Sequence, residues 1–284
     1  MDLKKPASLQ EQLELIKDRG CVVEDDEYVL KVLSDINYYR LSAYFLPFKS
    51  EDNVYRVNTS FNTIIEIYEF DRKLRNILFA LMEGLETRLR TRIAYLHAHQ
   101  YGALAYLNKD TFNGNHKPEI FLDHLQGIIN KNKNTPIVLH HQSKYNGQFP
   151  IWVIIELFTF GMLSKFYSDM KRKDQKEIAR STFGRSDTEL GSWLFCLTNL
   201  RNACAHYSRL YYWEFPAQPA QMKDLGYTLN KRIFDYILVV KALCKGTSHW
   251  NAFFPEFLEL MESSSICLEH IGFPYNWRDY LCPH

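Results

Sequence analysis

The strongest constraint on the fold is an apolar pattern that runs without interruption from Phe61 to Leu96. Its side chains recur at three- and four-residue steps, the spacing of one face of an α-helix. The pattern predicts one long helix from about Ser60 to His99, with a bend at Gly84. The opposite face mixes both charges and is predicted to be partly solvated and linked by ion pairs. The apolar series is Phe61, Ile64, Ile65, Tyr68, Leu74, Ile77, Leu78, Leu81, Leu85, Leu89, Ile93 and Leu96, and the charged residues are Arg72, Lys73, Arg75, Arg88, Arg90, Arg92, Glu69, Glu83 and Glu86.

Helical signals continue along the rest of the chain. Two capping boxes, "SLQE" at Ser8–Glu11 and "SDTE" at Ser186–Glu189, are typical of helix starts. No alternation of period two persists long enough to require a sheet. There is also no internal repeat and no low-complexity linker, so the sequence predicts a single all-α domain. Further helices are expected at about 25–37, 119–131 and 227–243, and one that begins near Asp187 is expected to run into residues 197–213. The apolar run 151–170 is expected to be buried.

The composition indicates a globular protein with no general attraction for nucleic acid. Of the 284 residues, 46% are hydrophobic and 24% are charged, which argues against disorder. The formal net charge is +1, so any basic binding site must be local. The densest basic stretch is "DMKRKDQKEIAR" at Asp169–Arg180. It is interpreted either as a solvated turn between helices or as a phosphate-binding patch made by Lys171, Arg172 and Lys173.

Cysteine usage and hydropathy favour a cytoplasmic protein with free thiols. The six cysteines form no CxxC pair, and no cysteine–histidine cluster has the spacing of zinc ligands. The N-terminal "MDLKKPASLQEQ" lacks the apolar region of a signal peptide. The most apolar segment, "FPIWVIIELFTFGML", contains Glu156 and is too short to span a bilayer. We therefore expect no metal, no cofactor and no membrane association.

A polar motif interrupts an apolar helical run within residues 197–213, "LTNLRNACAHYSRLYYW". Arg201, Asn202 and His206 stand there among small residues, which allow a ligand or another backbone to approach closely. In a helix that begins at the second capping box, Asn202, His206 and Arg209 lie on one stripe.

The residue types in this motif match the needs of phosphodiester cleavage. Arginine offers a planar fork of donors for a phosphate. Histidine can both accept and donate a proton near neutral pH. An asparagine amide can orient the imidazole ring. Arg201, Asn202 and His206 therefore supply the smallest set of groups needed to cleave a phosphodiester without a metal.

Spacing alone does not single out this motif, because Arg92 and His97 also fit an arginine–histidine spacing. That pair lies within the long helix and lacks the asparagine, so it is assigned to structure. A thiol nucleophile formed by Cys204 with His206 is disfavoured, because residues two apart on a helix point to different faces.

Two other groups of residues allow both a functional and a structural interpretation. Histidine is a common metal ligand, but adjacent helical histidines such as His140 and His141 diverge, and a solvated loop end is favoured for them. In "INYYR", Tyr38 or Tyr39 could stack on a nucleobase while Arg40 contacts a phosphate. The favoured alternative for that segment is aromatic packing between the first helices.

The segment "LRNACAHYSRL" resembles the R-N-x-x-x-H motif of HEPN ribonucleases, and specifically that of Abi-like (AbiD/AbiF type) abortive-infection proteins. The resemblance covers essentially the whole chain. It is supported, in order, by "KPASLQEQLELIKDRG", "INYYRLSAYFLPF", "FDRKLRNILFALMEGLETRLRTRIA", "FPIWVIIELFTFGMLSKFY" and "IGFPYNWRDY". It implies a HEPN-like helical core at about 60–245, with a helical extension at about 1–59 and a C-terminal helical segment at about 246–284.

The resemblance also implies an activity and roles for individual residues. HEPN proteins cleave RNA without a metal, and the 2′-hydroxyl attacks the adjacent phosphate to leave a cyclic phosphate end. By this resemblance His206 acts as acid or base, Arg201 holds the phosphate and Asn202 orients the site. Arg209 is expected to make a further phosphate contact. Tyr207 and Tyr211 stand where relatives often carry histidine and tryptophan.

Two functions therefore follow as hypotheses. The first is a metal-independent HEPN-type endoribonuclease in anti-phage abortive infection. The second is a non-catalytic RNA-binding or sensor protein on the same scaffold, which holds RNA with the same cleft and with Lys171, Arg172 and Lys173. For the first, transesterification needs both a base and an acid, whereas one Arg201/His206 pair supplies one imidazole. We therefore expect a two-fold homodimer with both motifs near its axis.

Overall fold

The chain folds into α-helices joined by turns, as seen in a computed structural model that describes residues 5–223 and 225–282. In this part of the chain no β-strand forms, and only three isolated β-bridges connect extended residues. The all-α prediction is confirmed. The helices are α1 (Leu9–Asp18), α2 (Asp26–Asp35), α3 (Tyr38–Phe45), α4 (Phe61–Tyr101), α5 (Pro118–Lys131), α6 (Pro136–Lys144), α7 (Ile151–Ile154), α8 (Phe160–Asp169), α9 (Arg172–Phe183), α10 (Asp187–Ala205), α11 (Ile233–Cys244), α12 (Ser248–Ser263) and α13 (Trp277–Leu281).

Helix α4 is the central element and matches the predicted long helix closely. Its N-cap is Ser60, whose hydroxyl accepts a hydrogen bond from the Thr63 amide, and it ends at Gly102. The helix continues through Gly84, where a Cβ would overlap the imidazole of His249 in α12. The glycine therefore allows α12 to pack closely against α4. Helices that contact α4 include α3, α7, α8, α9, α10, α11 and α12.

The charged face of α4 is partly solvated and linked by ion pairs, as predicted, but two of its charged residues, Arg75 and Glu86, are buried. Glu69 and Arg72 form an exposed ion pair at 2.7 Å, as expected. Arg75, in contrast, is buried together with Asp71, one turn earlier on the same helix. Opposite charges one helical turn apart can pair in the interior as well as at the surface. The sequence pattern does not tell the two cases apart.

Helix α10 begins as predicted and ends earlier than predicted. The Ser186 hydroxyl accepts from the Glu189 amide, and the Glu189 carboxylate accepts from the Ser186 amide at 3.0 Å, which confirms the capping box. The helix stops at Ala205, so the predicted stripe does not reach Arg209. Its buried face consists of Leu190, Trp193, Leu194, Cys196, Leu197, Leu200 and Cys204.

The early end of α10 is caused by a Schellman motif around Tyr207, which adopts the left-handed conformation with φ of 56°. The Ser208 amide donates to the Ala203 carbonyl at 2.8 Å, and the Tyr207 amide donates to the Cys204 carbonyl at 3.2 Å. Both hydrogen bonds are those expected at such a helix end. Glycine or asparagine usually marks this position, so a tyrosine gave no stop signal.

The predicted apolar run resolves into two helices, and one further boundary differs from the prediction. The apolar run 151–170 forms α7 and α8 with a break between them, and Thr159 caps α8 by accepting from the Met162 amide at 3.2 Å. Helix α11 begins at Ile233 and not near 227. Its start is fixed by the Asp235 carboxylate, which accepts from the Asn230 amide at 2.7 Å.

The described part of the chain contains no helix whose length and apolarity would let it cross a membrane. All six cysteines are free thiols, and four of them are buried.

His97 is fully buried in α4, in agreement with its assignment to structure. Its ring packs against Tyr101, Phe112 and Phe166, and neither ring nitrogen has a hydrogen-bond partner among the described residues. Because burial penalises the charged imidazolium, the pKa of His97 is lowered to about 4.

We expect the free energy of unfolding to fall as the pH drops from about 6.5 towards 4. In this window the unfolded chain, in which the His97 pKa is about 6.5, binds a proton that the folded chain does not. The stabilisation is therefore complete above this window, and roughly 3 kcal/mol is lost across it. Urea unfolding at a series of pH values should show a smaller pH dependence in His97→Leu. The exposed neighbour on the same helix gives the control, His99→Ala. Equal slopes in wild type and His97→Leu would contradict the assignment.

Candidate functional site

The structure brings Arg201, Asn202 and His206 together at the C-terminal end of α10. Arg201 and Asn202 lie in its last turns, and His206 is the C-cap residue, whose amide donates to the Asn202 carbonyl at 2.9 Å. The side chains of Asn202 and His206 are exposed to solvent, and that of Arg201 is 27% exposed. The three predicted catalytic side chains therefore share one accessible end of one helix.

Arg201 is oriented by two residues of α4. Its Nε lies 3.6 Å from Oε2 of Glu86, and its guanidinium lies over the Phe79 ring, 5.5 Å from the ring centroid. The Nε is buried without a hydrogen-bond partner among the described residues. Glu86 also pairs with Arg90 one turn later. Arg201 is thus held by charge and by ring contact, while its remaining N–H donors are available for an anion.

The chain after the motif is anchored to a buried carboxylate, Asp71 of α4. This carboxylate accepts hydrogen bonds from the Tyr44 hydroxyl at 2.7 Å, the Leu210 amide at 3.0 Å and the Tyr211 amide at 2.9 Å. It also pairs with the buried Arg75. Burial raises the pKa of the Asp71 carboxyl, and these donors act in the opposite direction. We refer to Asp71, Tyr44 and Arg75 as the Asp71 network.

Three arginines fix the same segment through its backbone and side chains. Arg75 donates to the Ser208 carbonyl at 3.3 Å, and Arg40 of α3 donates to the Tyr207 carbonyl at 2.8 Å. Arg209 belongs to the segment itself, and its guanidinium donates to a carbonyl of α3. Helices α3 and α4 therefore set the position of the chain on the C-terminal side of His206.

Arg209 does not lie on the stripe that the sequence predicted. It follows the end of α10 and is partly buried against α3, and this burial lowers the pKa of its guanidinium. The helix stop at Tyr207 is the reason for the difference. In the structure Arg209 joins α3 to the motif, and its phosphate contact stays a prediction.

The structure does not bring Lys171, Arg172 and Lys173 to the motif. The Arg172 Nε lies 3.0 Å from a carboxylate oxygen of Asp187, the first residue of α10. Because Arg201 is fourteen residues further along this helix, the basic stretch lies about 20 Å from the motif. Lys171 and Lys173 place their ammonium groups 5.5 and 5.6 Å from the centroid of one ring, that of Tyr101.

Cys204 and His141 are buried, whereas His140 is exposed on α6. Cys204 is buried, whereas His206 is exposed, and burial raises the pKa of the Cys204 thiol to about 12. His140 and His141 do not form a loop end as expected, since both lie within α6, and His141 is buried with its Nδ1 2.9 Å from the Ile137 carbonyl. No three His, Cys, Asp or Glu side chains of the described residues are arranged to hold a metal ion.

The segment "INYYR" divides between the two interpretations that its sequence allowed. Tyr38 is partly buried and accepts a hydrogen bond from Arg19 at 3.0 Å, so packing is confirmed there. The prediction of aromatic packing is wrong for Tyr39, which is 86% exposed. Arg40 lies beside the motif, as its hydrogen bond to Tyr207 shows. This proximity was missed because the two residues are 167 positions apart in the sequence.

Comparison with protein-family models supports the resemblance to Abi-like proteins. No curated protein and no solved structure matches the chain. One family model, described as Abi-like protein, matches residues 31–212, well over half of the chain. The match includes α3, α4 and α10, which together build the site. The chain therefore belongs to the Abi-like protein family.

Proposed function

We propose that the protein is a HEPN-type endoribonuclease that acts without a metal in abortive-infection defence. Its membership in the Abi-like family supports the defence role. The observation that carries the cleavage activity is the placement of Arg201 and His206 at one exposed helix end, with Arg201 held by Glu86. A phosphate-binding donor and an acid–base group are thereby available to one substrate.

The reaction proposed for this site is an internal transesterification of RNA. The 2′-oxygen loses its proton and forms a bond to the adjacent phosphorus, while the bond from phosphorus to the 5′-oxygen breaks. The leaving 5′-oxygen gains a proton, and a 2′,3′-cyclic phosphate remains. His206 serves as base or acid in these proton transfers. Arg201 stabilises the charge that develops on the phosphate, and Asn202 orients the site.

The activity is tested by incubating the purified full-length protein with assorted RNAs in the presence of a chelator. Wild type is expected to release fragments with cyclic phosphate ends, and Arg201→Ala is expected to lose most of this cleavage. Sequencing of RNA ends from cells that express either protein then identifies the RNA that is cut. Equal cleavage by wild type and Arg201→Ala would assign the activity to a contaminant. Intact RNA that copurifies with the wild type, without release of fragments on incubation, would favour the non-catalytic RNA-binding function.

A homodimer is proposed because one motif supplies one imidazole, whereas two facing motifs supply an acid and a base together. Phe195 supports this arrangement. It is 62% exposed and lies on the same face of α10 as Asn202 and His206, at helical spacing. A large apolar side chain on that face is suited to contact with a second copy of the chain.

We expect the wild type to have the mass of two chains and Phe195→Glu to shift towards the monomer. The control is Tyr275→Glu, which replaces another exposed aromatic residue. Mixing Arg201→Ala with His206→Ala chains should give more cleavage than either variant alone, because one arginine and one histidine then remain in a shared site. Sedimentation and cleavage assays measure both effects. A monomer with full wild-type activity would rule out the shared site.

A further inference from the structure

Two tyrosine rings stand uncovered beside the motif. Tyr39 in the first turn of α3 is 86% exposed, and Tyr207, which directly follows His206, is 65% exposed. The hydrogen bond of 2.8 Å from Arg40 to the Tyr207 carbonyl joins the two segments that carry them. The start of α3 therefore lies within reach of one arginine side chain from the end of α10, and both rings are open to solvent.

The backbone at Tyr207 indicates that this ring is not there for packing. A φ of 56° is unfavourable for a residue with a large Cβ substituent, and glycine or asparagine is preferred at this position of a Schellman motif. Tyr212 has a similar φ of 54°, but its ring contacts His270 and the guanidinium of Arg232. Tyr207 has no such ring partner among the described residues, so no packing contact of its ring offsets the backbone strain.

We propose that Tyr39 and Tyr207 are a nucleobase-stacking subsite for single-stranded RNA. The inference rests on the proposed function, because it names the substrate conformation that the Arg201/His206 site accepts. A nucleobase has a flat face that stacks on an aromatic ring, and this contact tolerates any base sequence. Bases within a duplex are already stacked on each other, which favours an unpaired strand.

Arg40 completes the subsite. Its guanidinium has five N–H donors, and only one of its nitrogens bonds to the Tyr207 carbonyl. The side chain is exposed, so its other donors can contact the phosphate that links two stacked nucleotides. Because Tyr207 is adjacent to His206 in the chain, a stacked base fixes which phosphodiester bond lies at the acid–base group. The subsite thus sets the point of cleavage relative to unpaired bases.

The test measures binding of a fluorescein-labelled single-stranded RNA of mixed sequence by anisotropy. All proteins carry His206→Ala, so that the RNA stays intact. Tyr39→Ala and Tyr207→Asn are each expected to raise the Kd by about tenfold, within a range of roughly 5- to 150-fold. Tyr39→Phe and Tyr207→Phe should bind as before, since stacking uses the ring. Asparagine is compatible with the left-handed conformation, so Tyr207→Asn keeps the fold, and thermal unfolding verifies this. Tyr275→Ala, another exposed tyrosine, is the control.

A second oligonucleotide, with the same backbone but abasic riboses, separates stacking from phosphate contacts. The effects of Tyr39→Ala and Tyr207→Asn should disappear with it. Unchanged affinity of both variants for the normal RNA would overturn the subsite, even where His206-dependent cleavage by wild type is found. A loss of affinity without any cleavage by wild type would keep the subsite and overturn the proposed cleavage. Failure of the parent protein to bind RNA, or a change of mass in the tyrosine variants, would overturn the subsite.

Discussion

Replacing His206 with alanine is expected to lower the rate of RNA cleavage by about 10²- to 10⁴-fold, the usual contribution of a general acid or base. The side chain is exposed at the end of α10, so its removal should leave the fold intact. The rate constant is measured at saturating protein and trace RNA, which separates the chemical step from product release. Binding of uncleaved RNA should change far less than the rate.

The matched control is His140→Ala, because His140 is also exposed and lies on α6, which contributes no residue to the site. It should cleave RNA at the wild-type rate. A His206→Ala protein that keeps more than about a tenth of the wild-type rate would remove His206 from the mechanism. In that case the exposed end of α10 would be a binding surface without acid–base chemistry.

Replacing Asp71 with asparagine is expected to lower the free energy of unfolding by about 3–5 kcal/mol, the effect of removing one partner of a buried ion pair. The change leaves the Arg75 guanidinium buried without its counter-charge. It also places an amide N–H₂ group where only donors converge, among them the Leu210 and Tyr211 amides. Urea denaturation measures the loss.

Glu69→Gln gives the comparison for Asp71, because it removes a carboxylate from the same helix at the surface. Its partner Arg72 is solvated, so a change of no more than about 1 kcal/mol is expected. Comparable losses in both variants would show that the Asp71 network is not a special anchor. RNA cleavage by Asp71→Asn should also fall at temperatures where it stays folded, since the chain after His206 loses its attachment.

The elements that were predicted from the sequence are those with a signal within a few neighbouring residues. Helix α4 followed from apolar spacing, and α10 began where Ser186 and Glu189 predicted it. The Arg201, Asn202 and His206 grouping also depends on local spacing, and the structure keeps these residues together.

What was missed depends on contacts between distant parts of the chain. The burial of Asp71 follows from amides of residues 210 and 211, which lie about 140 positions away. The end of α10 was missed because a tyrosine occupies a position where glycine is the usual signal. Arg172 was grouped with the motif by charge, but its partner Asp187 lies at the opposite end of α10. The residue types indicated which chemistry is possible, but the positions of these residues relative to each other could be known only from the fold.

The Asp71 network has a consequence for how far the chain after His206 can move. The two amides that hold the chain after His206 bond to a carboxylate inside the core, and that carboxylate is shared with Tyr44 of α3 and Arg75 of α4. A movement of this chain segment away from Asp71 would leave a buried charge without its hydrogen-bond donors, which is expected to cost several kcal/mol. The chain after His206 is therefore expected to keep this position in the folded protein. If the protein cleaves RNA as proposed, we expect its activity to be limited through its synthesis, through a partner that covers its surface or through separation of its copies, and not through loosening of the site.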